Sequence, residues 1–297
     1  MMHFGIMEMQ LNRLIEMDGE SKNPVDHILN FDRGQLVTGL VHEGFKLIEL
    51  NGDLGLFFPT AYENKNIQRL LKLKQDMGLD YTLHLPLWSI EPSTPSEPVR
   101  LGSVDAILYV IDAVEPLDPE VYVLHATGAL AAEFYRMKLP EIAKSLVLKQ
   151  FQGGAINSIK TILEETGIPS RKLAIETIEF PFDLTLEIAE VLDLSLCLDT
   201  GHVLAGFSGS LSILDALNKA CSPRLAEIHL HDSPNFMKTG QLGYGKDHQP
   251  LGKGELNTSQ LFQFLKQMSF NGPIIFELTV EEAQNSLSQL QESGVMI

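Results

Sequence analysis

The chain has 297 residues, 44% of them hydrophobic and 21% charged, with a formal net charge of −17. That length and composition exclude a disordered chain and suit one α/β barrel, which runs to roughly 250 residues. With 22 Lys and Arg in total and no basic run, nucleic acid and anionic membrane surfaces are disfavoured as partners, because both need clustered cations.

Short β-rich apolar runs alternate with helical patterns. The expected strands are His3–Met9, Phe45–Leu50, Tyr81–Leu85, Val121–His125, Lys172–Glu176, Ser195–Asp199, Ala226–His231 and Pro273–Leu278. Between them, Asn66–Met77, Val104–Val114, Ala155–Thr166, Leu184–Leu192 and Ser259–Met268 repeat apolar residues at helical spacing. Gly44, Gly78 and Gly167 follow such segments, where a left-handed C-terminal cap is expected. Leu85–Leu101 and Ser233–Leu256, rich in Pro, Gly and polar residues, read as loops. Strand–helix alternation predicts a parallel sheet. No Gly-rich loop follows the first strand, as an open doubly wound sheet would have, and eight units favour closure. The expectation is a single (β/α)8 TIM barrel over residues 1–297.

No apolar stretch reaches the ~18 residues of a membrane span. The opening MMHFGIMEMQ has neither a basic n-region nor a long apolar core, so a cytoplasmic, soluble protein without a membrane partner is expected. Cys197 and Cys221 form no ligand spacing, and Cys197 reads as a buried thiol.

Active sites of such barrels lie at the C-terminal strand ends. Those ends supply His84, His125, Glu176, then Asp199 with His202, then His229, His231 and Asp232, and finally Glu277. The loop after the seventh strand adds Asp247 and His248. Of nine histidines, only His3, His27 and His42 lie elsewhere. Polar residues ending one buried strand mean little. His, Asp and Glu ending six successive strands need partners, and they are the ligand types for Zn, Mn, Fe or Co. Trp88 reads equally as pocket lining or packing, and Glu49 as facing the site or a salt bridge elsewhere.

The motifs LDTGH at 198–202, HLHDS at 229–233, H-x3-G-x-G at 248–254 and FEL at 276–278 resemble the superfamily of xylose-isomerase-like barrels, which includes endonuclease IV and many sugar isomerases and epimerases. The endonuclease IV branch implies a multi-zinc site, matched here by His84, His125, Glu176, Asp199, His202, His229, His248 and Glu277. One further ligand, an Asp two residues before the loop His, is replaced by Lys246, with Asp247 shifted by one. The isomerase branch implies one metal on Glu176, Asp199, His229 and Glu277. One to three divalent ions are therefore expected.

The eight-ligand count favours a metal-dependent hydrolase of a phosphodiester, with Glu176, Glu277 and His202 as catalytic groups. The acidic charge directs that reading to a small molecule, such as the nucleotide loop of a cobamide. The alternative is a metal-dependent sugar or sugar-phosphate isomerase or epimerase, with Glu176 and Glu277 moving a proton between carbons. A sensor that kept the barrel and lost turnover fits poorly with an intact ligand set.

Overall fold

A computed structural model describes residues 2–10, 31–220 and 224–294. His27 and Cys221 lie outside the described residues. Eight strands form a closed parallel barrel in chain order. They are β1 (His3–Met7), β2 (Leu47–Asn51), β3 (Asp80–His84), β4 (Tyr122–Leu124), β5 (Leu173–Glu176), β6 (Ser195–Asp199), β7 (Leu225–His229) and β8 (Pro273–Phe276). Pairing of β1 with β8, His3 opposite Pro273 through Ile6 opposite Phe276, closes the ring. Helices cover the outer face of each strand, so both faces of the sheet are buried. That is why β5 (LAIE) and β6 (SLCLD) read as almost continuous apolar runs.

The expected (β/α)8 architecture is therefore present, with differences in extent. The strands β1, β4, β7 and β8 stop before the predicted ends, so His125, His231 and Glu277 sit just beyond the ladder rather than within it. Two helices begin earlier than their periodicity suggests: Glu97–Val114 and Glu141–Thr166. The second was masked by Gly153 and Gly154, which weaken a helical reading. A Cβ on Gly154 would stand 2.2 Å from the carbonyl oxygen of Ser93, so glycine is what lets this helix lie against the loop after β3. Gly78 and Gly167 take left-handed C-cap positions, as expected. Among the described residues no helix is long and apolar enough to cross a membrane.

Candidate metal centre

The C-terminal strand ends converge as the sequence predicts. Glu176 ends β5, Asp199 ends β6, His229 ends β7 and Glu277 follows β8. One ligand atom from each of these four lies within 4.8 Å of the others. The loops that carry them are fixed by their own sequences. Asp199 accepts from the His202 backbone N–H at 2.7 Å and so caps the short helix Thr200–Ala205. A Cβ on Gly201 would stand 1.8 Å from the Asp247 carbonyl, so the glycine of LDTGH admits the loop that bears His248. Asp232 is no ligand. It accepts from the backbone of Ser233, Gly252 and Leu256 at 2.8–2.9 Å and clamps that long loop in place. Gly254 of the H-x3-G-x-G motif is required by the same clamp, since a Cβ there would meet Asp232 Oδ1 at 2.4 Å.

The fit to a cation rests on two orphaned atoms. His229 Nδ1 and Glu176 Oε1 are buried without hydrogen-bond partners, 3.3 Å apart. His229 Nε2 is engaged by Glu49 Oε1 at 3.3 Å, so in a ring that ligates a cation Nε2 carries the one proton. Its Nδ1 then points a lone pair at Glu176 Oε1 and, at 3.7 Å, Glu277 Oε2. Three electron-rich atoms facing one another are stable only with a positive charge among them. That charge is a cation or, in its absence, a second proton on the ring, whose pKa the surrounding groups hold well above the ordinary imidazole value against the pull of burial. The donor set of three carboxylates and one imidazole suits a first-row divalent ion.

The surrounding histidines fall into distinct roles. His84 Nδ1 donates to the Leu85 carbonyl at 2.9 Å, and its Nε2 lies 3.2 Å from Glu176 Oε2. His125 Nε2 donates to the same Oε2 at 2.8 Å. His202 Nδ1 donates to the Thr177 carbonyl at 3.0 Å and lies 3.3 Å from Glu176 Oε1. His248 bridges Asp247 (2.7 Å) and Glu277 (3.0 Å) at the open side of the site. Asp247 also lies 3.8 Å from His202 Nε2, so the shifted aspartate reaches the cluster while Lys246 is exposed. His231, which the sequence placed beside the site without a role, donates from Nδ1 to Asp199 Oδ2 and accepts the Glu277 backbone N–H at Nε2, both at 3.0 Å. It thus ties two candidate ligands together. His3 opens β1 and His42 is exposed on a helix end, away from the site as expected.

Charge follows from this arrangement. Burial pushes Glu176 and Glu277 up, but neighbouring imidazoles, His125 and His229 for the first and His229 and His248 for the second, hold both well below the usual carboxylate range. Burial pulls His84 and His202 down, yet Glu176, joined for His202 by Asp199, raises each to about 9. His248 rises to about 11 because Asp247 and Glu277 outweigh its desolvation. In His125 and His231 burial wins and both are lowered. Glu227, unremarked in the sequence, is pushed up to about 8 by burial and by the charge of Glu49. Burial also raises the Cys197 thiol, as expected of an inert core cysteine.

A cavity of about 1010 Å³ opens over the site, lined by His84, His125, Glu176, His202, His248 and Glu277, with Trp88 at its rim. At the end of β1, by contrast, the buried Glu8 is matched by buried Arg33 and belongs to a structural ion pair.

Fold and site together define a (β/α)8 barrel with a candidate centre for divalent metal at its C-terminal face. The chain belongs to the xylose isomerase-like TIM barrel family, which it matches over residues 40–293. An uncharacterized protein of Methanocaldococcus jannaschii is 27% identical over 239 residues, 77% of this chain and 80% of the relative. A second protein of that organism, also uncharacterized, is 25% identical over 77% of this chain and 74% of its own length. Among solved structures, a D-tagatose 3-epimerase-like protein superposes with a TM-score of 0.72 at 21% identity, covering 99% of this chain and 98% of the other. A 3-keto-D-glucoside 4-epimerase from E. coli gives 0.68 at 14% identity, covering 98% and 100%. D-psicose 3-epimerase from Clostridium cellulolyticum H10 gives 0.68 at 14%, covering 98% and 99%.

These neighbours overturn the expected phosphodiester hydrolase and its cobamide substrate: the three structures named above, each covering nearly the whole chain, are an epimerase-like protein and two sugar epimerases. The hydrolase reading rested on the count of eight ligands. In the structure His84 Nε2 and His125 Nε2 both approach Glu176 Oε2, a contact that an imidazole–carboxylate hydrogen bond explains and that the same three residues could also use to hold an ion.

Proposed function

We propose that this barrel is a metal-dependent isomerase or epimerase of a small sugar bearing a carbonyl group. The observation that carries the reading is the pair Glu176 and Glu277: one buried and one partly buried carboxylate, held ionised by imidazoles, approaching the same point from β5 and β8. The names of the structural neighbours support it. Glu176, Asp199, His229 and Glu277 would hold the cation. When bound, a divalent ion supplies Lewis acidity toward a carbonyl and its neighbouring hydroxyl.

The chain's own groups then handle the proton. One carboxylate takes the proton from the carbon beside the carbonyl, and the C–H electron pair passes to the carbonyl oxygen as an enediolate. The other carboxylate, ionised at rest, takes a proton from its imidazole neighbour and passes it to carbon, and the carbonyl reforms. Return to the opposite face of the same carbon inverts it, and return to the adjacent carbon isomerises the sugar. Glu277 is steadied by His248 and Glu176 by His125, so each oxygen is aimed before substrate arrives. His202 offers Nε2 to a substrate hydroxyl at the cavity wall. The acidic protein repels polyanions, which fits a neutral small-molecule substrate.

The test is a panel of ketoses and 3-keto-glycosides, incubated with protein loaded with Mn2+ or Co2+ and separated by chromatography. Glu176→Gln and Glu277→Gln, assayed at saturating metal, should each slow turnover by roughly 10²- to 10⁴-fold. Undiminished turnover in both variants would remove the two-carboxylate mechanism.

A further inference from the structure

The layer of side chains directly beneath the candidate ligands is unusual for a barrel interior. Such layers are mostly branched and apolar. Here β7 turns both Glu227 and His229 inward, two residues apart. Strand register sets Glu49 of β2 beside Thr82 of β3, and Glu227 beside Cys197 of β6. Glu49, Thr82, Glu227 and His229 are all fully buried. Carboxyl groups in such a place are costly unless they hold a specific partner.

That partner is His229. Its Nε2 is 3.3 Å from Glu49 Oε1 and 3.7 Å from Glu227 Oε1. Thr82 Oγ1 donates to Glu227 Oε1 at 3.3 Å and steadies the second carboxyl against the ring. The opposite nitrogen, Nδ1, has no hydrogen-bond partner and faces Glu176 and Glu277. One side of the ring therefore meets the Glu49 carboxyl, which accepts its N–H, and the other meets the ligand cluster. A ring with the proton on Nδ1 would turn a lone pair toward two carboxyls and present the cluster with no donor atom.

The geometry points to Glu49, backed by Glu227, as a positioning residue that fixes the tautomer and angle of His229 and so sets the affinity of the site for a divalent cation. Glu49 touches neither cation nor substrate; it acts through the imidazole, as carboxylates beneath metal-bound histidines do. The inference rests on the metal site proposed above, and not on the identity of the sugar.

Cation affinity is the readout, taken with Cd2+ against a competing chelator and without substrate. Glu49→Leu should weaken binding about 10- to 100-fold, while Glu49→Gln, whose amide oxygen still accepts from Nε2, should stay within about threefold of the wild type. Wild-type affinity in Glu49→Leu, or equal losses in both variants, would overturn the assignment. Should Glu49→Leu fail to fold, the wild-type protein answers alone. With 15N-labelled histidine and 113Cd, His229 should couple to cadmium through Nδ1 and carry its proton on Nε2; coupling through Nε2 would refute the proposal. A wild-type protein that binds no cation overturns the metal site itself along with this inference, whereas a cation bound equally well by wild type and Glu49→Leu overturns this inference alone.

Discussion

Replacing His231 by leucine separates support of the metal site from metal ligation. The ring is fully buried and makes two bonds that leucine cannot, to Asp199 Oδ2 and from the Glu277 backbone N–H, each at 3.0 Å. Loss of a hydrogen bond to a charged group costs about 1.5–3 kcal/mol, and a buried N–H left without an acceptor about 1–3 kcal/mol. The two losses share one side chain and do not simply add, so His231→Leu should destabilise the metal-free protein by about 2–5 kcal/mol. Denaturant unfolding in the presence of a chelator measures this without interference from bound cation. Divalent-ion affinity should fall about 10- to 100-fold, because Asp199 and the backbone of Glu277 lose the tie between them. His231→Gln, whose amide keeps one donor and one acceptor, should recover part of both. A leucine variant within about 0.5 kcal/mol of wild type would show that the ring does not brace the ligands.

The metal-free protein should also lose stability as pH rises. His84 and His202 are raised from 6.5 to about 9, and His248 to about 11. A raised folded pKa gives stability that is complete below 6.5 and is lost as pH climbs through the folded value. Glu176, Glu277 and Asp199 are depressed, so their contribution is lost only in acid. Thermal scans in chelator should give a lower Tm at pH 9.5 than at pH 6; a flat profile would contradict the charge assignment. Away from the site, Arg33→Met leaves Glu8 buried without its guanidinium and should cost about 3–5 kcal/mol in denaturant unfolding. The double variant Arg33→Met, Glu8→Leu should recover most of that loss, and equal stability of single and double variants would argue against an uncompensated charge.

Much of the site was legible because its residues interrupt apolar strands at their C-terminal ends. LAIE, SLCLD and IIFEL each announce a carboxylate where a barrel places chemistry. The division of labour was not legible. His229 and His231 share one strand parity, so spacing alone does not separate them; the resemblance chose His229 as the ligand, and in the structure the Asp199 carboxylate and the Glu277 N–H take up both nitrogens of His231. Glu227 was passed over because it lies within the apolar run LAEIH, although its position two residues before His229 marks it as inward-facing. The helix Ala129–Arg136 was missed because its eight residues are too few to show a periodicity. The hydrolase expectation leaned on a count of imidazoles, and such a count does not distinguish the chemistries that one barrel can host.

The central claim, proton transfer between carbons by Glu176 and Glu277 at a metal site, is tested most directly by solvent exchange. Protein loaded with Mn2+ or Co2+ is incubated in D2O with D-tagatose, D-psicose, D-fructose and a 3-keto-glucoside, and the sugars are followed by NMR. The account predicts an epimer or isomer carrying one solvent deuterium on a carbon adjoining the carbonyl, formed only with metal and stopped by chelator. Product formed at the same rate after complete metal removal, or no exchange into any keto-sugar by the metal-loaded protein, would contradict it.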